Sequence, residues 1–108
     1  MPELERVDLH LADAAERMCV WETEHLQIMR MRLGVGESLP PHNANSDVLL
    51  LPLEGTITFA GEGRTETFGV GEALSVPYDT PMKVSNGGGP PALLLVLKAP
   101  HPKQYPPA

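Results

Sequence analysis

The sequence predicts an all-β fold of short antiparallel strands with little helix, and three observations support this prediction. Short apolar segments recur along the chain, and turns that contain glycine, proline or asparagine separate them. Several segments place apolar residues at every second position, which is the period of a strand. Only one short stretch has the composition of a helix. Many short strands with such punctuation are typical of a sandwich or a barrel.

The one predicted helix spans Leu11 to Met18 and is one or two turns long. Ala12, Ala14 and Ala15 have high helix propensity, and Asp8 precedes the stretch as a candidate N-cap.

The remaining elements are predicted strands. Met29, Met31 and Leu33 alternate with Arg30 and Arg32, which predicts a strand with one face in water. Glycine and proline turns separate the six strands predicted after it. These strands are Asp47 to Leu53, Thr56 to Ala60, Arg64 to Phe68, Ala73 to Val76, Met82 to Ser85, and Ala92 to Lys98.

Length, charge and cysteine content exclude several classes of function. A chain of 108 residues fits one domain with one core. Its formal charge is -6 and its basic residues are scattered, so we expect no nucleic-acid partner. Cys19 has no second cysteine to pair with, which suits a reducing cytoplasm. No apolar run approaches the roughly 20 residues that span a bilayer, so we expect no membrane association.

Two blocks of the chain begin with the same residues and continue at the same spacing. In each block five residues follow the second glycine before the next marked position. The first block contains Gly34-Val35-Gly36-Glu37, His42 and Gly55, and the second contains Gly69-Val70-Gly71-Glu72, Pro77 and Asn86. This pair of blocks resembles the two signature motifs of the cupin superfamily.

The resemblance implies a small single-domain cupin, which is a double-stranded antiparallel β-helix, or jelly-roll barrel. Residues 30–98 would form the barrel. Residues 1–29 would form an N-terminal segment with a short helix or turn and one or two packing strands, and residues 99–108 would form a Pro-rich tail. Such a tail is expected to be extended, and either to lie over the barrel or to be disordered.

The resemblance also implies a metal site, but most of its ligands are missing. His42 matches the first histidine of the family pattern, whereas Ala44, Val48 and Met82 occupy the positions of the other three ligands. Asp47 would join His42 only if a β-bulge turned it inward. We therefore expect either no cofactor or a weakly held divalent metal. In the second block Asp79 also replaces a usual glycine.

The methionines offer an alternative metal set. Met29, Met31 and Met82, together with His42, would supply the thioether and imidazole ligands that suit Cu(I). Methionine is also a routine filler of protein cores, so a packed core remains the competing interpretation.

Without a metal, the predicted barrel interior is largely apolar. We expect its ligand-contacting residues to be His42, Ala44, Val48, Met31 and Met82, with Phe59 and Val84 nearby, and His42 as the one inward polar group. An apolar cavity with one or two polar groups is typical of a small-molecule site. A barrel filled by its own side chains has the same composition.

Two predicted strands are apolar on both faces, in residues 48–53 and 92–97. Their outer faces need a cover, which the N-terminal segment, the tail or a second copy of the chain would provide. We expect a homodimer.

Three classes of function follow from these observations. The sequence favours a small-molecule-binding module with an apolar interior. The first alternative is a metal-dependent enzyme of the dioxygenase or isomerase type that uses His42 and Asp47. The second is an interaction protein that uses the outer apolar wall around Leu49 and Leu51.

Overall fold

A computed structural model of the protein describes residues 4–9 and 17–105. These residues form nine strands and one short 3-10 helix. The strands are β1 (Arg17–Glu22), β2 (Gln27–Leu33), β3 (His42–Asn43), β4 (Val48–Glu54), β5 (Thr56–Gly61), β6 (Arg64–Gly69), β7 (Leu74–Val76), β8 (Pro81–Ser85) and β9 (Ala92–Lys98), and the 3-10 helix is Pro102–Gln104.

The strands form two antiparallel sheets whose inward side chains make a shared core. The larger sheet has the order β1-β2-β9-β4-β7, and the smaller has the order β3-β8-β5-β6. Strand β9 therefore lies in the middle of its sheet, with β2 on one side and β4 on the other. The predicted all-β, two-sheet fold is confirmed. The strands predicted from residue 47 onward agree with the structure to within a residue at each end.

The predicted helix is wrong where the structure tests it. Arg17 and Met18 open strand β1, in which they pair with Met31 and Arg30 of β2. Pairing along the sheet edge outweighs the local helix propensity of these positions. Residues 11–16 of the predicted helix lie outside the described residues. The boundary predicted after residue 29 falls inside β2, so residues 17–29 contribute to the barrel wall.

The prediction that one face of β2 lies in water is also wrong. Arg30 is only 1% exposed, although its outward position was expected to be in water. Its Nη2 atom lies 3.2 Å from the Met18 sulfur on the neighbouring strand. The outer face of the larger sheet is therefore covered at this point, and its neighbours Leu93 and Leu95 on β9 are buried as well.

The repeated sequence Gly-Val-Gly-Glu forms the same turn twice. In each copy the glutamate amide donates to the carbonyl of the first glycine, with an N···O distance of 3.0 Å. The glutamate side chain accepts a hydrogen bond from the amide of that glycine in return. The second glycines, Gly36 and Gly71, have φ values of 75° and 95°, which side chains with a Cβ rarely adopt.

Asn86 fastens the loop after β2 to the loop after β8. Its side-chain amide donates to the carbonyls of Leu33 and Pro90 at 3.2 and 2.8 Å. Its backbone carbonyl accepts from Gly36, and its backbone amide donates to Glu37. The asparagine that closes the second block is thus a buried structural residue that fixes one end of the barrel.

The described part of the tail packs on the barrel. The Ser46 hydroxyl donates to the Pro100 carbonyl, and the Ala99 amide donates to the Asp47 carbonyl. The rings of Tyr78 and Tyr105 stack with their centroids 3.9 Å apart. The extended conformation predicted for the tail is wrong over Pro102–Gln104, which forms the 3-10 helix.

A side-chain hydrogen bond closes the same region. His101 Nε2 donates to a Glu22 carboxylate oxygen at 2.8 Å, and this hydrogen bond is the main cause that lowers the pKa of Glu22. Because strand β1 carries Glu22, the tail is joined to the edge of the larger sheet.

Candidate ligand-binding site

A cavity of about 240 Å³ lies between the two sheets. Apolar side chains form most of its wall, and four polar side chains lie among them. The lining residues are Arg17, Met31, Leu39, Pro40, His42, Asn45, Leu50, Met82, Val84, Leu94, Val96 and Lys98.

Strand alternation explains the apolar wall. Leu94 and Val96 are two apart on β9, and Met82 and Val84 are two apart on β8, so each pair projects to the same side of its strand. Residues that face each other across neighbouring strands share a face in the same way, and Met31 lies opposite Leu94.

His42 lies at the mouth of the cavity. It is the cross-strand partner of Met82, which sets its side chain on the inner face, but strand β3 is at the sheet edge and leaves the ring exposed. Its Nδ1 lies 2.9 Å from the Pro40 carbonyl oxygen. Because a carbonyl only accepts, Nδ1 carries the hydrogen and Nε2 is left for a ligand.

Lys98 lines the cavity from the end of β9. It continues the inward series of Leu94 and Val96, and only 8% of its surface is exposed. Burial lowers the pKa of the Lys98 ammonium group below its ordinary value, and the nearby charge of Arg17 lowers it further.

Arg17 reaches the same cavity from β1, because it lies opposite Met31 in the ladder. The sequence indicates His42 as the one inward polar group of the barrel. That prediction is wrong, because Arg17 and Lys98 also line the cavity. Lys98 was predictable from the period of β9, whose last inward residue it is. Arg17 was not, because its segment was assigned to a helix.

Three of the five predicted ligand-contacting residues line the cavity, and two do not. Met31, Met82 and His42 are present. Ala44 and Val48 point inward but are buried in the core cluster, where neighbouring side chains fill the space around them. The cavity lies instead where β8 and β9 face each other.

The structure shows where the residues proposed as metal ligands lie. Asp47 is exposed, and its carboxylate accepts a hydrogen bond from the Tyr78 amide at 2.9 Å. Ser46 and Val48 on either side of it are buried, so the inward series from His42 continues without a shift. Across residues 4–9 and 17–105, no three histidine, cysteine, aspartate or glutamate side chains are grouped to hold a metal.

The thioether set is only partly assembled. Met31 and Met82 line the cavity with His42, whereas Met29 is buried in the core cluster away from it. Lys98 and Arg17 add positive charge to the same space, which opposes the binding of a cation such as Cu(I).

Comparison with known proteins identifies relatives of this chain. No protein-family model matches the chain. An uncharacterised protein of the archaeon Methanocaldococcus jannaschii is 35% identical over 83 residues, which cover 76% of this chain and 72% of the relative. Its crystal structure, described as an RmlC-like cupin family protein with a double-stranded β-helix fold, matches 95% of this chain and 97% of that one, with a TM-score of 0.81 and 31% identity.

The chain belongs to the cupin superfamily. A cupin superfamily protein from Desulfitobacterium hafniense also has the same fold, with a TM-score of 0.73 and 19% identity over 92% of this chain and 93% of that one. The resemblance seen in the two sequence blocks is thereby confirmed.

One departure from the cupin pattern is explained by the backbone. Asp79, which replaces the usual glycine of the second motif, has a φ of 65°. Aspartate and asparagine tolerate this left-handed region better than most residues. Asn43 donates to the Asp79 carboxylate at 3.0 Å, and this bond holds the turn beside the cavity.

This cupin has a second cavity, of about 310 Å³, between the β5–β6 hairpin and the segment around β7. Its lining residues are Phe59, Gly61, Glu62, Arg64, Glu66, Leu74, Ser75, Val76, Pro77 and Thr80. Here the basic residue is neutralised, because Arg64 forms an ion pair with Glu66. Below, the first cavity is the one lined by Lys98, and the second cavity is the one lined by Arg64.

None of the described residues belongs to a helix with the length and hydrophobicity needed to cross a bilayer.

Proposed function

We propose that this cupin is a small-molecule-binding module, and that the first cavity is where its ligand binds. The observation that supports the proposal is the unfilled space of about 240 Å³ beside the first-motif histidine. A barrel interior packed only for stability is filled at close to crystal density and leaves few voids larger than a water molecule.

The composition of the wall suits a ligand with an apolar body. Met31, Met82, Val84, Leu94 and Val96 surround the space from both sheets. Methionine side chains adapt to different ligand shapes, because they are flexible and polarisable. The polar groups near the mouth would orient the ligand, as is usual in small-molecule sites.

Methionine methyl signals provide the test. The protein labelled with ¹³C in its methionine methyl groups is titrated with 1-hexanol, a small neutral apolar probe, and followed by NMR. The signals of Met31 and Met82 should shift together and saturate. Met18, which contacts Arg30 on the outer face of the sheet, should not move. Absence of a saturable shift at Met31 and Met82 would contradict the proposal.

A filled cavity sharpens the test. Val96→Phe adds a ring to the cavity wall and should abolish the hexanol-induced shifts. Val35→Phe, on an exposed turn, is the matched control and should leave them unchanged. Retained shifts in Val96→Phe would place the probe elsewhere.

We also propose that the protein works as a homodimer in the cytoplasm. Ile28, Leu97 and Leu49 lie in one row across β2, β9 and β4, and all three keep part of their outer surface exposed. A contiguous apolar row suits a self-complementary contact. Leu49→Asp should shift sedimentation from dimer to monomer, whereas Thr67→Asp on exposed β6 should not.

The single free thiol, Cys19, suits a reducing compartment.

A further inference from the structure

We propose that the first cavity binds a small carboxylate that has an apolar tail, with the carboxylate held by Lys98 and Arg17. The tail would lie among the methionine, leucine and valine side chains of the wall. This inference rests on the proposed function, because it names the chemical class of ligand for the same cavity.

The charge of the cavity is opposite to that of the protein. The chain has 14 acidic and 8 basic residues, yet two basic and no acidic residues are among the described residues that line the cavity. The contacts between acidic and basic side chains that the structure does show lie elsewhere: Glu66 pairs with Arg64, and Glu24 and Glu22 contact His25 and His101. Neither Lys98 nor Arg17 takes part in an ion pair with a described acidic residue. The cavity is therefore a local positive site in an acidic protein.

The burial of Lys98 is the stronger half of this observation. Lysine is almost never buried to this degree unless an opposite charge accompanies it, because desolvation disfavours the charged form. The charge that acts on Lys98 is that of Arg17, which has the same sign. A bound anion would supply the missing partner. It would offset both the desolvation of Lys98 and the repulsion between Lys98 and Arg17.

Arg17 fits a carboxylate in geometry as well as in charge. Its guanidinium group offers parallel N–H donors that match the two oxygens of a carboxylate. Asn45 and His42, which line the same cavity, add further hydrogen-bonding groups. The site thus combines two cations with side chains that can donate and accept hydrogen bonds.

Cavity size limits the ligand. The volume of about 240 Å³ corresponds to roughly eight waters at about 30 Å³ each. That is also about the number of non-hydrogen atoms in hexanoate. Since most of the wall is apolar, the polar part of the ligand must be small, which favours a single carboxylate over a sugar or a nucleotide.

The test compares probes that differ in charge but share a tail. Hexanoate, 1-hexanol and hexylamine are titrated into the full chain, and binding is measured by calorimetry and by the methionine methyl signals. Acetate has the carboxylate of hexanoate without its apolar tail, so its affinity measures what the charge alone contributes to binding. Hexanoate should bind at least about tenfold more tightly than hexanol, because each charged hydrogen bond adds to affinity. Hexylamine should bind more weakly than hexanol.

Variants of the two cations complete the experiment. Lys98→Met should weaken hexanoate binding by about tenfold or more and leave hexanol binding unchanged or stronger. Lys98→Arg should retain hexanoate binding, and Arg17→Met should weaken it. Lys83→Met is the matched control, because Lys83 is exposed on β8 between the inward residues Met82 and Val84.

The outcomes separate the two proposals. If hexanol binds as tightly as hexanoate and Lys98→Met changes neither, the carboxylate assignment is overturned while the binding function stands. If no probe shifts Met31 and Met82, both proposals fail. If hexyl phosphate binds more than tenfold tighter than hexanoate, the ligand group is a phosphate and the carboxylate assignment is again overturned.

Discussion

The two cavities of this cupin are built from similar parts but differ in charge balance. Each places apolar core side chains next to basic ones, and the second cavity is the larger, at about 310 Å³ against about 240 Å³. In the second cavity the Arg64 and Glu66 side chains pair while 70% and 41% exposed. In the first, Lys98 is buried and has no acidic partner among the described residues. The unpaired cation, rather than the volume, distinguishes the first cavity, where we propose that the ligand binds.

This difference has a physical basis. An exposed ion pair in water contributes little to stability, and removing it costs little. An unpaired buried cation is unfavourable for folding, so it persists where something outside the fold uses it. Four substitutions test the contrast, two in the walls and two at the cations.

The largest effect is expected in the wall of the second cavity. Phe59→Ala should lower the free energy of unfolding by about 3 to 4 kcal/mol, because Phe59 belongs to the packed core cluster as well as to the cavity wall. Urea unfolding followed by circular dichroism measures the loss. A loss below about 1 kcal/mol would mean that this cavity, too, is loosely packed.

In the wall of the first cavity a smaller loss is expected. Met82→Ala should cost about 2 kcal/mol, because it removes fewer buried side-chain atoms from the core cluster than Phe59→Ala does. The same urea experiment applies. A loss as large as that of Phe59→Ala would contradict the expectation that the smaller side chain contributes less to the core.

Lys98→Met should raise the free energy of unfolding by about 1 kcal/mol near neutral pH, since an apolar side chain replaces a buried charge. The gain should shrink as pH rises. Folded Lys98 has a lowered pKa, whereas the unfolded chain has the ordinary value of 10.5. Between the two values the unfolded state binds more protons, so the wild type gains stability with pH and approaches the variant.

Other groups near Lys98 must be separated from this effect. Arg17 from β1 and His42 from β3 line the same cavity. Unfolding of wild type and Lys98→Met is therefore compared at each pH, so that titrations common to both cancel. A difference that grows with pH would contradict the burial of a charged Lys98.

The smallest effect is expected at the paired cation. Arg64→Met should change the free energy of unfolding by less than about 0.5 kcal/mol, because its partner Glu66 remains solvated when the pair is broken. Thermal unfolding at low and high salt is the measurement. A larger, salt-dependent loss would show that the second cavity relies on this pair, and would weaken the contrast with Lys98.

Most of the fold was predictable from sequence, because it depends on local signals. Period-two alternation and glycine turns marked the strands from residue 47 onward, and the spacing of Gly36, Gly71 and Asn86 marked the superfamily. A packing strand was expected within residues 1–29 but was not located at β1, because the pairing of β1 with β2 is a tertiary contact that the composition of this segment does not indicate. Strand β3 is only two residues long and gave no period to detect.

The site was predictable only in part. The resemblance to the cupin motifs placed His42 and Met82, and strand alternation placed Met31, among residues that line the cavity, yet the same motifs placed Ala44 and Val48 there too. Alternation tells which face a residue occupies but not which part of that face is filled. That depends on how the two sheets close on each other, which no short sequence window contains.

The position of β9 has a consequence for how the protein is made. Strands β2 and β4 each pair with β9 and not with each other, so neither completes its hydrogen-bonded ladder until residues 92–98 have left the ribosome. Until then the nascent chain presents two long, apolar, unpaired strand edges, which are templates for aggregation. Translation that stalls before Ala92 should therefore yield an insoluble fragment, and chaperone demand should be highest just before synthesis reaches this strand.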